Sequence, residues 1–282
     1  SSFPNQMRLD GLKVVIDCAN GAGYRAAPEV LWELGAEVIP IGVSPDGRNI
    51  NLNCGSTSPT VAAETVVAHG ADVAICLDGD ADRVLVIDEK GSPIDGDQFL
   101  GMIGARWYKE GKLANETLVS TVMSNMRLET FLNQEGITLA RTSVGDRYVV
   151  ERMRLNGFNL GGEKSGHVVM MDYSTTGDGL MAGLQFLAEM IRKGEPASVV
   201  GRPFDLAPQR TENITYSVEK NPLNDPSVIK IISESEKKLS GLGRLLVRKS
   251  GTEKLIRVMV EAEDISILDA TMASITSTIK GL

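Results

Sequence analysis

Apolar and polar positions along the chain follow two alternating rhythms. Stretch 12–19, LKVVIDCA, is a mostly apolar run with β-branched residues and predicts a buried strand. The turn NGAG at 20–23 leads to a helical stretch at 26–34, a strand at 36–43, a helix at 61–69 and the strand DVAICL at 72–77. Helices set between buried strands imply a mainly parallel sheet covered on both faces. Stretch 84–94, VLVIDEKGSPI, reads as an antiparallel hairpin turning at Lys90-Gly91 and closing this first module.

The pattern then restarts. A helix at 98–108 precedes the strand TLVSTVMS, a helix at 128–135 and the strand ITLARTSV; a helix at 147–155 leads into NLGGEKSGHVVM and a last helix at 178–193. No repeat in the residues themselves is close enough to align, yet the theme is the same. Glycines and prolines make 194–208 the best linker. Beyond it the order becomes strand, helix, strand, strand, helix, an α+β pattern with helices on one face of a small antiparallel sheet. The predicted fold class is α/β: two mainly parallel three-layer α/β modules, 1–95 and 96–197, followed by a small α+β domain at 198–282.

Composition is that of a globular protein, with 42% hydrophobic and 23% charged residues among 282. The longest apolar helical stretch, 179–191, is too short for a bilayer and is broken by Glu189. Twenty-nine basic against 37 acidic residues leave a net charge of -8, which argues against nucleic acid or an anionic membrane as a general partner. The N-terminal residues lack a basic region followed by an apolar run. With Cys18, Cys54 and Cys76 too few and too scattered for a disulfide framework, a reduced, cytoplasmic setting is expected.

Three loops carry chemistry. Asp78, Asp80 and Asp82 follow a buried strand at i, i+2 and i+4, so their carboxylates share one face and repel unless a cation joins them. Hard oxygen donors favour Mg²⁺ or Ca²⁺; the glycine that a calcium EF-hand loop needs is replaced by Arg83. The alternative is a solvated acidic turn. Gly161 to His167, GGEKSGH, combines glycines with a carboxylate, a hydroxyl and an imidazole suited to a polyol, or is an ordinary polar turn. Between two strands near the C-terminus, RLLVRKSGTEKLIR gathers five basic residues around Ser250-Gly251-Thr252, a cradle for a phosphate dianion or a basic edge that blocks strand addition. The NGAG turn lacks the third glycine of a dinucleotide site.

A cation loop, a polyol loop and a phosphate loop in this order resemble the α-D-phosphohexomutases, in which they read DGD[GA]DR, GExSGH and RxSGTE. Residues 49–57, NINLNCGST, and 144–149, VGDRYV, look like the glucosamine branch. The resemblance implies that Asp78, Asp80 and Asp82 hold Mg²⁺, and that Arg83 and His167 stand at the reacting end. It further implies that Gly162, Glu163, Ser165 and His167 bind the sugar, while Arg248, Ser250, Gly251, Thr252 and Arg257 hold the non-reacting phosphate. The implied reaction exchanges glucosamine 6-phosphate and glucosamine 1-phosphate through a bisphosphorylated sugar, and the implied C-terminal fold is TATA-binding-protein-like. The family's first module, with its phosphoserine loop, has no counterpart here, so the chain is expected to be a fragment without turnover. The other readings are a phosphoglucomutase or phosphomannomutase of the same family, or a non-catalytic phosphosugar-binding protein. One departure is Lys254, where the family usually has proline.

Overall fold

A computed structural model describes residues 2–216, 221–250 and 254–282, which fall into two compact units. The first comprises Ser1–Ser124 and Leu128–Phe204; the second, Asn125–Arg127 and Asp205–Leu282.

The first unit opens with β1 (Lys13–Asp17), α1 (Ala26–Glu33), β2 (Glu37–Ile41), α2 (Thr60–His69), β3 (Val73–Leu77) and β4 (Val84–Asp88). They form a sheet in the order β2-β1-β3-β4, parallel except for the antiparallel β3–β4 pair. Side chains alternate across it with period two. Val14 and Ile16 of β1 and Val73, Ile75 and Leu77 of β3 join Ala27 and Leu31 of α1 in one core, whereas Val15, Ala74 and Cys76 join Ala62 and Val66 of α2 in another. With both faces covered, every residue of β3 is buried, and its continuous apolar run follows from that.

The arrangement repeats. After α3 (Gly96–Lys109) come β5 (Thr117–Thr121), α4 (Met126–Gln134), β6 (Thr138–Thr142), α5 (Asp146–Asn156), β7 (Leu160–Gly162), β8 (Val168–Met170) and α6 (Gly179–Lys193). The second sheet runs β6-β5-β7-β8, again parallel except for its last pair, β7–β8. The two modules therefore share one topology. They also share a core: Phe186 of α6 stacks on Phe99 of α3 with ring centroids 5.9 Å apart. Gly183 of α6 lies against Ile75 of the first sheet, and Leu100 of α3 lies against Gly162 of the second.

The antiparallel hairpin at 84–94 is short: besides pairing with β3, β4 bridges Ile87 to Pro93 of the returning arm, with Asp88 N–H to Ser92 C=O and Ile94 N–H to Val86 C=O both at 2.9 Å, around a turn in which the Asp88 carboxylate accepts the Lys90 and Ser92 amides. The boundary between the two units, Phe204 to Asp205, falls inside the 194–208 stretch, and most of that stretch is tied to the first unit. The stretch contains α7 (Ala197–Val200), where Ser198 donates to Glu89, and Arg202 beyond it donates to Asp88 at 2.7 Å. These ties keep the stretch up to Phe204 in the first unit.

The second unit contains β9 (Gln209–Thr215), α8 (Pro226–Leu239), β10 (Gly243–Lys249), β11 (Leu255–Ala262) and α9 (Ile265–Lys280). Its antiparallel sheet runs β10-β11-β9. Ile256, Val258 and Val260 project to the helices and pack with Val228, Leu239, Leu268, Met272, Ile275 and Ile279. Asp225 and Asp264 start the two helices by accepting the Ser227 and Ser266 amides.

Since Phe186 lies in the core common to both modules, Phe186→Ala is expected to cost about 3–5 kcal/mol. Hydrogen exchange should then speed up in β1 and β5 alike. Faster exchange confined to one sheet would mean that the modules fold separately.

Candidate functional site

The DGDADR loop begins where β3 ends. Asp78 is buried, Asp82 half-buried and Asp80 exposed, and one oxygen from each lies within 4.8 Å of the other two. The loop's backbone is tied on both sides. Gly79 C=O accepts the Ala22 amide at 2.8 Å, and Ala81 C=O accepts the Gly179 amide at 2.9 Å. Ala81 takes a left-handed conformation, φ +62°, to turn the chain between its two acids. Within the loop, Asp78 Oδ1 accepts the Arg83 N–H at 3.1 Å, and Arg83 Nε lies 3.8 Å from both Asp78 Oδ2 and Asp82 Oδ1.

Burial pushes Asp78 up to about 6, Asp82 and Asp80 add to the rise, and the Arg83 amide works against it. Three carboxylate oxygens converging with one guanidinium at their edge form a hard donor set, which suits Mg²⁺.

The GEKSGH loop joins β7 to β8. It closes on itself through Glu163 N–H to His167 C=O at 2.9 Å and Gly166 N–H to Glu163 C=O at 3.0 Å. Gly166, at φ +89°, passes so close to β4 that a Cβ would lie 2.1 Å from Val84 C=O. In return the Val84 amide donates to Gly166 C=O at 3.1 Å, and Arg83 and His167 pair as an antiparallel bridge. The two loops, one from each module, are thus sewn together edge to edge.

The site residues expected in this loop are placed differently from one another. His167 is only 2% exposed, its Nε2 lies 3.5 Å from Asp82 Oδ2, and neither ring nitrogen has a hydrogen-bond partner among the described residues. It sits behind the acidic loop. Gly177 leaves room for it, since a Cβ there would be 2.5 Å from Nε2. Glu163 is half-buried and its Oε1 accepts the Gly145 amide at 3.0 Å, which brings the 144–149 run to the same place. Ser165 is exposed, and Lys164 reaches Asp95 at 3.3 Å. Gly162 is buried and its C=O accepts the Ser120 hydroxyl, so it supports the loop from beneath.

The basic loop belongs to the second unit. Arg248 of β10 stands opposite Arg257 of β11 in register, and its buried Nε has no hydrogen-bond partner among the described residues. Burial, and then Arg257, pull the Arg248 guanidinium below the usual arginine value. Arg257 donates to Asn213 at 2.9 Å, and the Ser250 amide to Leu255 C=O at 2.9 Å. Gly251 and Thr252 lie outside the described residues.

Residues 2–91, 95–203 and 211–277 match, respectively, alpha/beta/alpha domain II, alpha/beta/alpha domain III and the C-terminal domain of the phosphoglucomutase/phosphomannomutase family. The chain belongs to that family. Among its relatives, a phosphoglucosamine mutase of Ruegeria sp. (strain TM1040) is 62% identical over 280 residues, covering 99% of this chain and 63% of the relative. One of Cereibacter sphaeroides (strain ATCC 17025 / ATH 2.4.3) is also 62% identical, with the same coverage. The chain thus spans about 63% of the length of these curated relatives. A solved phosphoglucomutase/phosphomannomutase family protein of Burkholderia thailandensis superposes with a TM-score of 0.79 at 21% identity, over 98% of this chain and 62% of that one. N-acetylphosphoglucosamine mutase of Aspergillus fumigatus, solved with GlcNAc-6P and magnesium, gives 0.73 at 20% identity, over 96% of this chain and 67% of that one. At these identities both share the fold of the family.

Sequence reasoning missed Asp17, whose carboxylate holds the Ala19 and Gly55 amides beneath the acidic loop. The available signal was a single acid at the end of an otherwise apolar strand, KVVID.

The raised Asp78 sets a sign. The folded carboxyl protonates near 6 and the unfolded one near its ordinary 3.8, so the folded state binds the proton more tightly and stability falls as pH rises between the two. Asp78→Asn should therefore raise the melting temperature of the metal-free chain above about pH 7 and leave it unchanged near pH 4. A lower melting temperature at neutral pH would contradict this.

Proposed function

We propose that this chain carries the metal-, sugar- and phosphate-holding parts of a phosphoglucosamine mutase, which exchanges glucosamine 6-phosphate and glucosamine 1-phosphate through a bisphosphorylated sugar. The observation that carries the reading is the Arg83–His167 bridge, which sets the DGDADR loop beside the GEKSGH loop, as a cation site next to a sugar site would require. Relatives at 62% identity that are phosphoglucosamine mutases support the choice of sugar. A phosphoglucomutase or phosphomannomutase would use the same loops.

Phosphoryl transfer needs alignment and charge neutralisation more than covalent help from side chains. Asp78, Asp80 and Asp82 would hold Mg²⁺, which when bound draws charge from the transferring phosphoryl oxygens. Arg83 adds a fixed positive charge at the edge of those carboxylates. Glu163 and Ser165 offer an acceptor and a hydroxyl to the sugar, on a loop whose glycines allow close approach. His167, packed behind Asp82, faces the reacting end from the protein side. Arg248 and Arg257, with Ser250, Gly251 and Thr252, hold the phosphate that does not react. Two like charges opposed across strands repel each other, and a dianion relieves both.

The group that donates and recovers the phosphoryl lies outside these 282 residues in this reading, so the chain alone binds phosphosugar without turning it over. A reduced, cytoplasmic setting and a role in amino-sugar metabolism belong to the same reading. Three buried, unpaired thiols support the setting.

Calorimetric titration with glucosamine 6-phosphate tests the assignment. Wild type should bind and show no turnover, and Arg248→Ala should bind more weakly by about 1.5–3 kcal/mol, the worth of a hydrogen bond to a charged group. Equal affinities would remove the phosphate assignment, and turnover above a blank would remove the division of labour.

A further inference from the structure

Asp17 is fully buried at the end of β1, yet it faces no basic side chain in any hydrogen bond or ion pair of the described residues. Its two oxygens are taken by backbone. Oδ1 accepts the Ala19 amide at 2.9 Å, and Oδ2 accepts the Gly55 amide at 2.7 Å. These amides open two arms. One is the NGAG turn, in which Ala19 and Asn20 adopt left-handed conformations and Ala22 donates to Gly79 C=O at 2.8 Å. The other is the 49–57 loop, in which the residue after Gly55, Ser56, donates to Leu77 C=O at 2.9 Å. Leu77 and Gly79 flank Asp78.

The arms are also joined to each other. The Asn51 amide donates to Ala19 C=O at 2.9 Å, and the Asn20 side chain reaches Asn49 C=O at 3.4 Å. Space around the acidic loop is filled. A Cβ on Gly79 would lie 2.7 Å from the Asn51 side-chain Nδ2, one on Gly21 2.1 Å from Gly79 C=O, and one on Gly55 2.5 Å from Leu77 C=O.

We propose that Asp17 is a positioning residue for the acidic loop: one buried carboxylate anchors both arms of a backbone collar that grips the chain on either side of Asp78. The inference rests on the reading of Asp78, Asp80 and Asp82 as a Mg²⁺ site. It gives a role to two segments that the proposed chemistry leaves unused, the NGAG turn and the 49–57 loop. Asp17 is fully buried and stands outside the converging carboxylates of Asp78, Asp80 and Asp82, so its part is to hold backbone. Replacing it with Asn puts an NH₂ against one backbone N–H, so one arm loses its anchor. Partners that orient metal ligands from behind are typically worth about 10–100-fold in metal affinity.

The test is titration of the full 282-residue chain with Mn²⁺, as a stand-in for Mg²⁺, followed by loss of the free-ion electron spin resonance signal. Three chains are compared: wild type, Asp17→Asn and Val66→Ala, the last a core truncation in α2 that lowers the melting temperature without touching the collar. Asp17→Asn should bind at least about tenfold more weakly, while Val66→Ala should bind like wild type. Should Asp17→Asn fail to fold, Gly55→Ala takes its place, since its Cβ pushes the second arm away from Leu77, and the same loss is expected. Wild-type affinity in the folded collar variant would overturn the proposal, as would an equal loss in Val66→Ala. Absence of binding by wild type would instead remove the metal reading on which it rests.

Discussion

Three carboxylates held within 4.8 Å of one another repel, and the site depends on a frame that resists that repulsion. Left to itself, a six-residue loop would relieve the strain by swinging Asp80 and Asp82 apart into water. Here the ends of β3 and β4 fix its base, and amides from Ala22 and Gly179 hold two of its carbonyls. The cost remains visible in Asp78, which burial and its two neighbours push up to about 6. A binding site for a divalent cation is a place where such a cost is kept until the ion relieves it.

The frame is backbone more than side chain, and this explains the glycines. Gly21, Gly55, Gly79, Gly166 and Gly179 each stand where a Cβ would come within 3 Å of a backbone carbonyl or a packed side chain. At Gly55 and Gly166 a positive φ adds a second reason. What looks in the sequence like a scatter of turn residues is the set of points at which strands and loops pass at contact distance around one acidic turn. The pairing of β4 with the GEKSGH loop through Val84 and Gly166 extends the frame into the second module. The shared topology of the two sheets places their antiparallel edge strands, β4 and β8, where this pairing forms.

Much of this was legible in the residues. Strand and helix positions follow from apolar runs and periodicity because both sheets are covered on two faces, which makes β3 apolar throughout and β1 apolar between Lys13 and Asp17. The hairpin at 84–94 follows from its Lys90-Gly91 turn, whereas the hold of the Asp88 carboxylate on that turn has no pattern of its own. Prolines and glycines at 194–208 do mark the unit boundary, but they also mark a short helix whose hold on the first unit comes from Ser198 and Arg202 reaching back more than 100 residues. Such long-range ties leave no local pattern. The acidic loop was readable from spacing alone. The burial of His167 was not, since nothing in GEKSGH says which of its polar groups faces inward.

The central claim is that the acidic loop is a cation site built into the junction of the two α/β modules. Anomalous diffraction from crystals of this chain soaked in Mn²⁺ measures it directly. The account predicts a peak among Asp78, Asp80 and Asp82, about 2.0–2.3 Å from one oxygen of each, as expected for a small divalent ion on carboxylates. A peak elsewhere, or an acidic loop whose carboxylates have turned apart in the soaked crystal, would contradict it.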